Sequence, residues 1–337
     1  MMTNPSPHSD FREPTRDGIV RAAAKIAQLL PPTPLLPLVL PLGLTFGGAT
    51  VWCKVESLQP VGAFKIRGAW HRLTDLSAEE RARGVVAVSS GNHAQGVAWA
   101  AARLGIAATI VMPADAPAVK LDATRALGAD IVLYDRRNGS RDAIAADLIA
   151  RSGAILVHAF GDPWVIEGQG SVGIELAAQM AVKMEGRACG GPTRIVCPCG
   201  GGGLASGLAL ACPDAQIVLV EPEHWDDVNR SLAQGAIVGV AADAPGTACD
   251  ALQTMATFPI NFAVLRERQV TGVVVTEAEI RAAQRLAFAA LHLVIEPGGA
   301  AALAALMAGK VACDGRTAVI LSGGNVDPRA FAAVLIE

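Results

Sequence analysis

Short apolar runs rich in Val and Ile alternate with longer Ala-rich stretches whose polar residues recur at helical spacing, from about residue 84 to the end of the chain. That rhythm predicts a parallel sheet covered by helices, an α/β fold. Strands are expected at GVVAVS (84–89), ATIVMP (108–113), DIVLYD (130–135), AILVHAF (154–160), RIVCPC (194–199), QIVLVEP (216–222) and AVILSGG (318–324). Helices are expected at 93–104, 116–127, 140–151, 163–184, 277–291 and 298–308. Three strands end in small polar residues, giving SSGNH, CGGGG and SGGN. In open α/β sheets ligands bind beyond the carboxyl ends of strands, so these three loops mark the candidate site.

One apolar region breaks the rhythm. LLPPTPLLPLVLPLGL is interrupted by Pro31, Pro32, Pro34, Pro37 and Pro41, which excludes a spanning helix and predicts an extended segment crossing a surface. The start, MMTNPSPHSDFREPTRD, is polar and lacks the basic and apolar parts of a secretory signal.

Composition narrows the chemistry. With 337 residues, 52% hydrophobic and 18% charged, the chain has enough apolar surface for a large core and is expected to form two lobes. A net charge of -3 with scattered Lys and Arg gives no footprint for nucleic acid or an anionic membrane. Seven cysteines without a repeating framework point to reduced thiols in a cytoplasmic protein. Cys197 and Cys199 lack zinc spacing and a histidine cluster, and are expected in the core.

Gly200, Gly201, Gly202 and Gly203 follow a strand and precede a helix, so their amides and the helix dipole suit a phosphate. A dinucleotide fold is a rival, since Glu221 ends the next strand at the distance expected of a ribose ligand. It leaves Lys65 and SSGNH without a role. No Lys-Ser or Lys-Thr follows the glycines, which excludes a P-loop. Lys65, between Phe64 and Ile66, is either a solvated lysine or a desolvated amine with nucleophilic character.

ESLQPVGAFKIRGA, SSGNHAQGVAWAA, HAFGDPWVIEGQGSVGIEL, PCGGGGLASGLAL, IEPGGAAALAAL and LSGGNVD occur in the order seen in fold-type II pyridoxal phosphate enzymes. The chain most resembles the branch of threonine and serine dehydratases, serine racemases and hydroxyaspartate dehydratases, from about Arg16 onward. The resemblance implies a tryptophan synthase beta-like fold of two open parallel-sheet lobes, with the active site in the cleft. The order of elements places a small domain at 84–159 within a large one made of 1–83 and 160–337.

By resemblance, Lys65 holds pyridoxal 5'-phosphate as a Schiff base and, once displaced, removes the Cα proton of the substrate. Phe64, Asn92, Gly200 to Gly203, Glu296 and Ser322 complete the cofactor set, with Asn92 on the ring hydroxyl and Ser322 on the pyridine nitrogen. A hydroxyl partner leaves that nitrogen largely unprotonated, which favours prompt loss of a β-substituent. Ser89, Ser90, Gly91, Asn92 and His93 would bind the substrate carboxylate, at the N-terminus of a helix. Ser90 is either a proton donor on the face opposite Lys65 or a capping hydroxyl; Asn92 has the same capping alternative.

VEPEHWDD resembles the divalent-metal loop of the racemase and hydroxyaspartate branch, which implies Mg, Mn or Ca on Glu221, Asp227 and the carbonyl of Trp225. The competing reading is an acidic helix start. Arg141 matches a position facing an acidic substrate group. The chain departs from the family at Ala251, where glycine is usual, and at Gly298, where serine or threonine is common. The expected activity is ammonia-lyase (dehydratase) chemistry on 3-hydroxyaspartate, threonine or serine. A racemase on the same scaffold, a nicotinamide (NAD) dehydrogenase and a non-catalytic binding module are the alternatives, and a homodimer is implied.

Overall fold

The computed structural model describes residues 12–40, 46–116, 118–135, 139–184 and 190–336. The polar start up to residue 11 and the end of the proline-rich segment at 41–45 lie outside these residues. Ten strands are present among the described residues: β1 (Leu35–Leu38), β2 (Val51–Val55), β3 (Val85–Val88), β4 (Ala108–Pro113), β5 (Asp130–Tyr134), β6 (Ile155–Leu156), β7 (Arg194–Pro198), β8 (Gln216–Pro222), β9 (Thr271–Val275) and β10 (Thr317–Leu321). They form a six-stranded sheet in the order β1-β2-β10-β7-β8-β9 and a four-stranded sheet in the order β5-β4-β3-β6. Only β1 runs antiparallel, on the outer side of β2.

The apolar strands are continuous because both of their faces are covered. In β10, Val319 and Leu321 enter one core with the helices Glu277–Leu291 and Pro297–Met307, while Ala318 and Ile320 enter another with Pro163–Lys183 and Gly203–Ala211. A side-chain period of two on a buried strand produces this division. The four-stranded sheet has its own core, built from Ala87, Ile110 and Met112 with Val97 and Ala98 of the helix Asn92–Leu104. Ile66, Ala69 and Leu73 join that core, so the helix Lys65–Thr74 packs on elements of the second sheet.

The seven expected strands and six expected helices are present, with shifts at their ends. The largest is at 154–160, where only Ile155 and Leu156 pair; the residues that follow turn toward the cleft. Three strands lack a clear pattern in the sequence. The proline-rich segment is extended, as expected, and becomes the edge strand β1, where Pro37 is tolerated because an edge needs fewer donors. β2 carries Lys54, fully buried, with its ammonium donating to the Thr33 carbonyl and Gln179 Oε1 (both 2.8 Å) and paired with Glu175. β9 is the opposite edge and is partly exposed.

Candidate active site

β2, β7, β8 and β10 are parallel neighbours, so their carboxyl ends lie along one side of the sheet. The chain leaves β2 there, turns, and enters the helix that Lys65 begins. Phe64 N donates to the Ser322 carbonyl (3.1 Å), and Ala63 bridges Gly323, which fixes Lys65 against the loop after β10. Arg67, two residues on and 1% exposed, clamps the start of this helix. Its Nε and Nη2 donate to the two oxygens of Glu56 at 2.7 and 2.8 Å, and Nη1 lies 3.0 Å from Glu175. Burial pushes Glu56 up, but the Arg67 guanidinium, the Lys54 charge and the Thr33 hydroxyl together hold the carboxyl below its usual range.

Lys65 itself has no acidic partner within ion-pair distance among the described residues; its Nζ donates to the Ala159 carbonyl at 2.7 Å. Burial pushes its pKa down to about 8, with Cys199 pulling weakly the other way. A neutral amine is therefore accessible near physiological pH, as nucleophile or base chemistry requires.

The three sequence loops converge. Asn92, the first residue of its helix, donates from Nδ2 to Glu296 Oε1 (2.6 Å) and accepts from Asn325 Nδ2 (2.8 Å). Asn325 also donates to the Val61 carbonyl (2.8 Å). Asn92 is thus not a helix cap, and Gly91 holds that place with no side-chain cap. Ser90 does not cap the helix either, whereas Ser89 Oγ accepts from Gly91 N (3.2 Å). Burial pushes Glu296 up to about 7, and its Oε2 is buried without a hydrogen-bond partner. Ser322 is buried at the end of β10.

The glycine run closes the far side. Gly202 has φ 92°, a conformation that glycine adopts without strain, and the helix Gly203–Ala211 starts with no side-chain cap. Its first amides have no acceptor within the helix. A Cβ on Gly201 would lie 2.3 Å from the ring of Phe160, and one on Gly203 would lie 2.9 Å from Phe160 Cβ. Phe160 follows Ala159, the residue that holds Lys65, so the lysine and the glycine loop share one support. The helices beginning at Arg16, Ala78, Arg141, Pro163 and Glu277 are capped by Thr15, Ser77, Ser140, Asp162 and Thr276. Those beginning at Lys65, Asn92, Gly203 and Pro297 have no side-chain cap and start beside the cleft; the helices Asp227–Gln234 and Pro259–Glu267 also lack one.

The remaining candidates sit as follows. His93 is turned away: its Nε2 lies 2.8 Å from the Val157 carbonyl, and burial, then the charge of Lys65, pushes its pKa down to about 3. Arg141 is exposed, 3.7 Å from Asp142, yet its charge helps to hold His158 down at about 4, after burial and Lys65. It does not touch the Lys65 cluster directly. Ala251 and Gly298, the two family departures, face each other: a Cβ on Gly298 would lie 3.5 Å from Ala251 Cβ. A methyl on one loop thus stands opposite its absence on the other.

Glu221 and Asp227 are fully buried behind the glycine loop. Glu221 accepts from Val228 N (3.0 Å) and Asn229 N (2.8 Å) at the start of the helix Asp227–Gln234, whereas Asp226 at its N-cap makes no side-chain capping bond. Asp227 has neither carboxyl oxygen hydrogen-bonded, and burial pushes it up to about 7. Trp225 donates from Nε1 to the Pro245 carbonyl (2.8 Å). Among the described residues no group of three or more His, Cys, Asp or Glu forms a metal cluster. Cys197 and Cys199 are buried free thiols, as expected of core residues.

Sequence reasoning missed Asn325, Phe160, the Ala159 carbonyl and the Arg67–Glu56 clamp as supports. Asn325 and Phe160 stand in stretches, LSGGNVD and HAFGD, that had drawn attention for other residues. Nothing local marks Ala159, because its contribution is a backbone oxygen.

The uncapped helix start beside Gly201 and Gly202 suits a phosphate, the amine of Lys65 an aldehyde, and the orphaned oxygen of Glu296 and the amide of Asn92 a polar ring: together they fit pyridoxal phosphate. A family model described as "Pyridoxal-phosphate dependent enzyme" matches residues 26–323. The L-threo-3-hydroxyaspartate ammonia-lyase of a Pseudomonas species is 40% identical over 293 residues, 86% of this chain and 88% of that protein. The serine racemase of Schizosaccharomyces pombe is 35% identical over 330 residues, 96% of this chain and 98% of that protein. The structure of maize serine racemase matches with a TM-score of 0.84 at 32% identity, over 96% of this chain and 98% of that one. A match this long, on a cleft whose free donors suit the same cofactor, means that the chain belongs to the pyridoxal-phosphate dependent enzymes.

Proposed function

We infer that the chain is a pyridoxal-phosphate dependent ammonia-lyase of the dehydratase type, which removes water from a β-hydroxy amino acid and yields a 2-oxo acid and ammonia. The observation that carries this is Lys65: an amine with a pKa of about 8, held by one backbone carbonyl, at the meeting point of the three strand-end loops. When bound, the cofactor supplies an aldehyde that captures the substrate amine and a ring that withdraws electrons from Cα.

The chain's own residues then have defined tasks. The loop Ser89 to His93 offers backbone amides and a helix N-terminus to the substrate carboxylate. Lys65 Nζ would take the proton from Cα and the β-hydroxyl would leave as water with an equivalent proton returned to it, so that the elimination consumes no net proton. The resulting aminoacrylate is hydrolysed to 2-oxo acid and ammonia. Asn92, anchored between Glu296 and Asn325, presents a neutral amide to the ring hydroxyl, and Ser322 a hydroxyl to the ring nitrogen. Phe64 and Gly200 to Gly203 would complete the cofactor site.

Among substrates we favour 3-hydroxyaspartate. Arg141, whose charge reaches His158, supports this choice as a cation that a second carboxylate could use. The buried pair Glu221 and Asp227 has no ion-pair partner within 4 Å among the described residues and suits a structural divalent cation, with the Trp225 carbonyl and water completing its shell. Residues 84–159 form the smaller lobe, and a homodimer in the cytoplasm is the expected form. Racemase activity is the second reading because Ser90, free of a capping role, is available as a proton donor opposite Lys65.

Borohydride reduction followed by peptide mapping tests the reading directly. The label is expected on Lys65; a label elsewhere, or none, refutes it. A panel of 3-hydroxyaspartate, threonine and serine scored for 2-oxo acid, beside chiral analysis for D-amino acid, then separates lyase from racemase.

A further inference from the structure

Lys120, on the helix Ala118–Ala126, is 7% exposed, although lysine at the mouth of a cleft is normally solvated. Its ammonium is ion-paired with Asp250, which lies 130 positions away on the short helical turn Asp250–Leu252. The pair therefore joins an element of the four-stranded sheet to the body of the six-stranded one. Its two members are unequal: the side chain of Asp250 is 40% exposed and that of Lys120 only 9%. The buried charge is the cation, and its partner stands on the rim.

The inner side of Lys120 faces the carboxylate loop. A Cβ on Gly91 would meet Lys120 first, with Nζ at 3.6 Å and Cδ at 3.7 Å. Glu296 feels both members of the pair: burial pushes its pKa up most, Lys120 pulls it down against that, and Asp250 adds to the rise. A desolvated ammonium needs a negative partner, and a solvent-facing carboxylate on the rim supplies only part of that compensation. A second anion arriving at Gly91 would supply the rest.

We propose that Lys120 is a substrate-positioning residue whose ammonium, held by Asp250 across the cleft, is shared with the substrate carboxylate when that group docks on the Ser89 to His93 loop. Asp250 then competes with the substrate for one cation and holds Lys120 in place while the cleft is empty. This rests on the reading of the cleft as an amino-acid site.

Lys120→Met, Lys120→Arg and Asp250→Asn, each assayed as the cofactor-loaded enzyme with 3-hydroxyaspartate, threonine and serine, test the idea. Lys120→Met is expected to raise KM about tenfold, equivalent to about 1.4 kcal/mol, with a much smaller change in kcat. Lys120→Arg should restore most of that loss. Asp250→Asn should lower KM, because the competing anion is gone. A strut between lobes predicts something different: breaking the same ion pair from either end would raise KM in both variants. That outcome, or an unchanged KM in Lys120→Met, overturns the proposal. If Lys120→Met does not fold, Asp250→Asn decides alone, since a raised or unchanged KM there also overturns it. Borohydride labelling of Lys65 should persist in every variant. Its absence from the wild-type enzyme would instead refute the cofactor reading, and this inference with it.

Discussion

Gly201→Ala should destabilise the protein through a single neighbour. The added methyl carbon would lie 2.3 Å from Cδ2 and Cε2 of Phe160 and 2.5 Å from Cγ, so the ring has to move. It has little room, because His158 lies edge-on at 4.6 Å between ring centroids and Phe258 at 6.3 Å. Overpacking of this kind costs about 1–3 kcal/mol. With an unfolding entropy of about 2.1 cal/mol/K per residue, a chain of this length loses about 1.5 °C of Tm per kcal/mol, so a fall of about 1.5–4.5 °C is expected. A double-mutant cycle with Phe160→Ala, read by thermal unfolding at fixed cofactor, isolates the clash. In the Phe160→Ala background the methyl enters vacated space, and its cost should fall to near zero. An equal cost in both backgrounds would refute the assignment of the glycine to Phe160 and leave the phosphate as its sole reason.

Further outcomes follow from the same geometry. Reaction of the cofactor-free protein's Lys65 with a pyridoxal aldehyde, followed by absorbance against pH, should rise with a midpoint near pH 8. A midpoint near the ordinary lysine value would mean that the amine is solvated. Because the folded pKa is depressed, the unfolded chain binds more protons between about pH 8 and the ordinary lysine value, so Lys65 makes stability rise with pH across that window. Asp227→Asn removes one of two buried carboxylates. It should abolish the gain in Tm that wild type shows with Mg, Mn or Ca over chelator, a gain of about 2.7 kcal/mol at a hundred times Kd; no such gain in wild type would refute the cation site. Arg67→Met strands Glu56 as an uncompensated buried charge and should cost about 3–5 kcal/mol in denaturant unfolding, most of it recovered when Glu56 is also made apolar.

Local pattern carried much of this protein into view. Strands such as β8 and β10 are buried on both faces, and a run that is apolar at nearly every position is visible without knowing its neighbours. The uncapped glycine-rich helix start and the three strand-end loops were visible for the same reason, since backbone geometry dictates their residue types. β2 was hidden because its buried Lys54 is matched by Glu175, a partner 121 positions away. The proline-rich segment announced that it was extended but not that it would join its own sheet, because pairing depends on where β2 lies.

Sequence alone thus determined the α/β layering and the small-residue loops at the strand ends, which rest on local backbone and burial rules, while Lys65 was singled out by resemblance to a family rather than by its local pattern. Tertiary structure decided what those groups touch. It placed the Ala159 carbonyl on Lys65, set Asn92 between Glu296 and Asn325 rather than at a cap, and turned His93 inward to Val157. It also assigned Gly201 a packing reason in Phe160 and brought Lys120 to Asp250 beside Gly91. The physical reason is the same in each case: the strength of a charge or a hydrogen bond depends on burial and on a partner distant in the chain, and neither is fixed until the sheets have closed around the cleft.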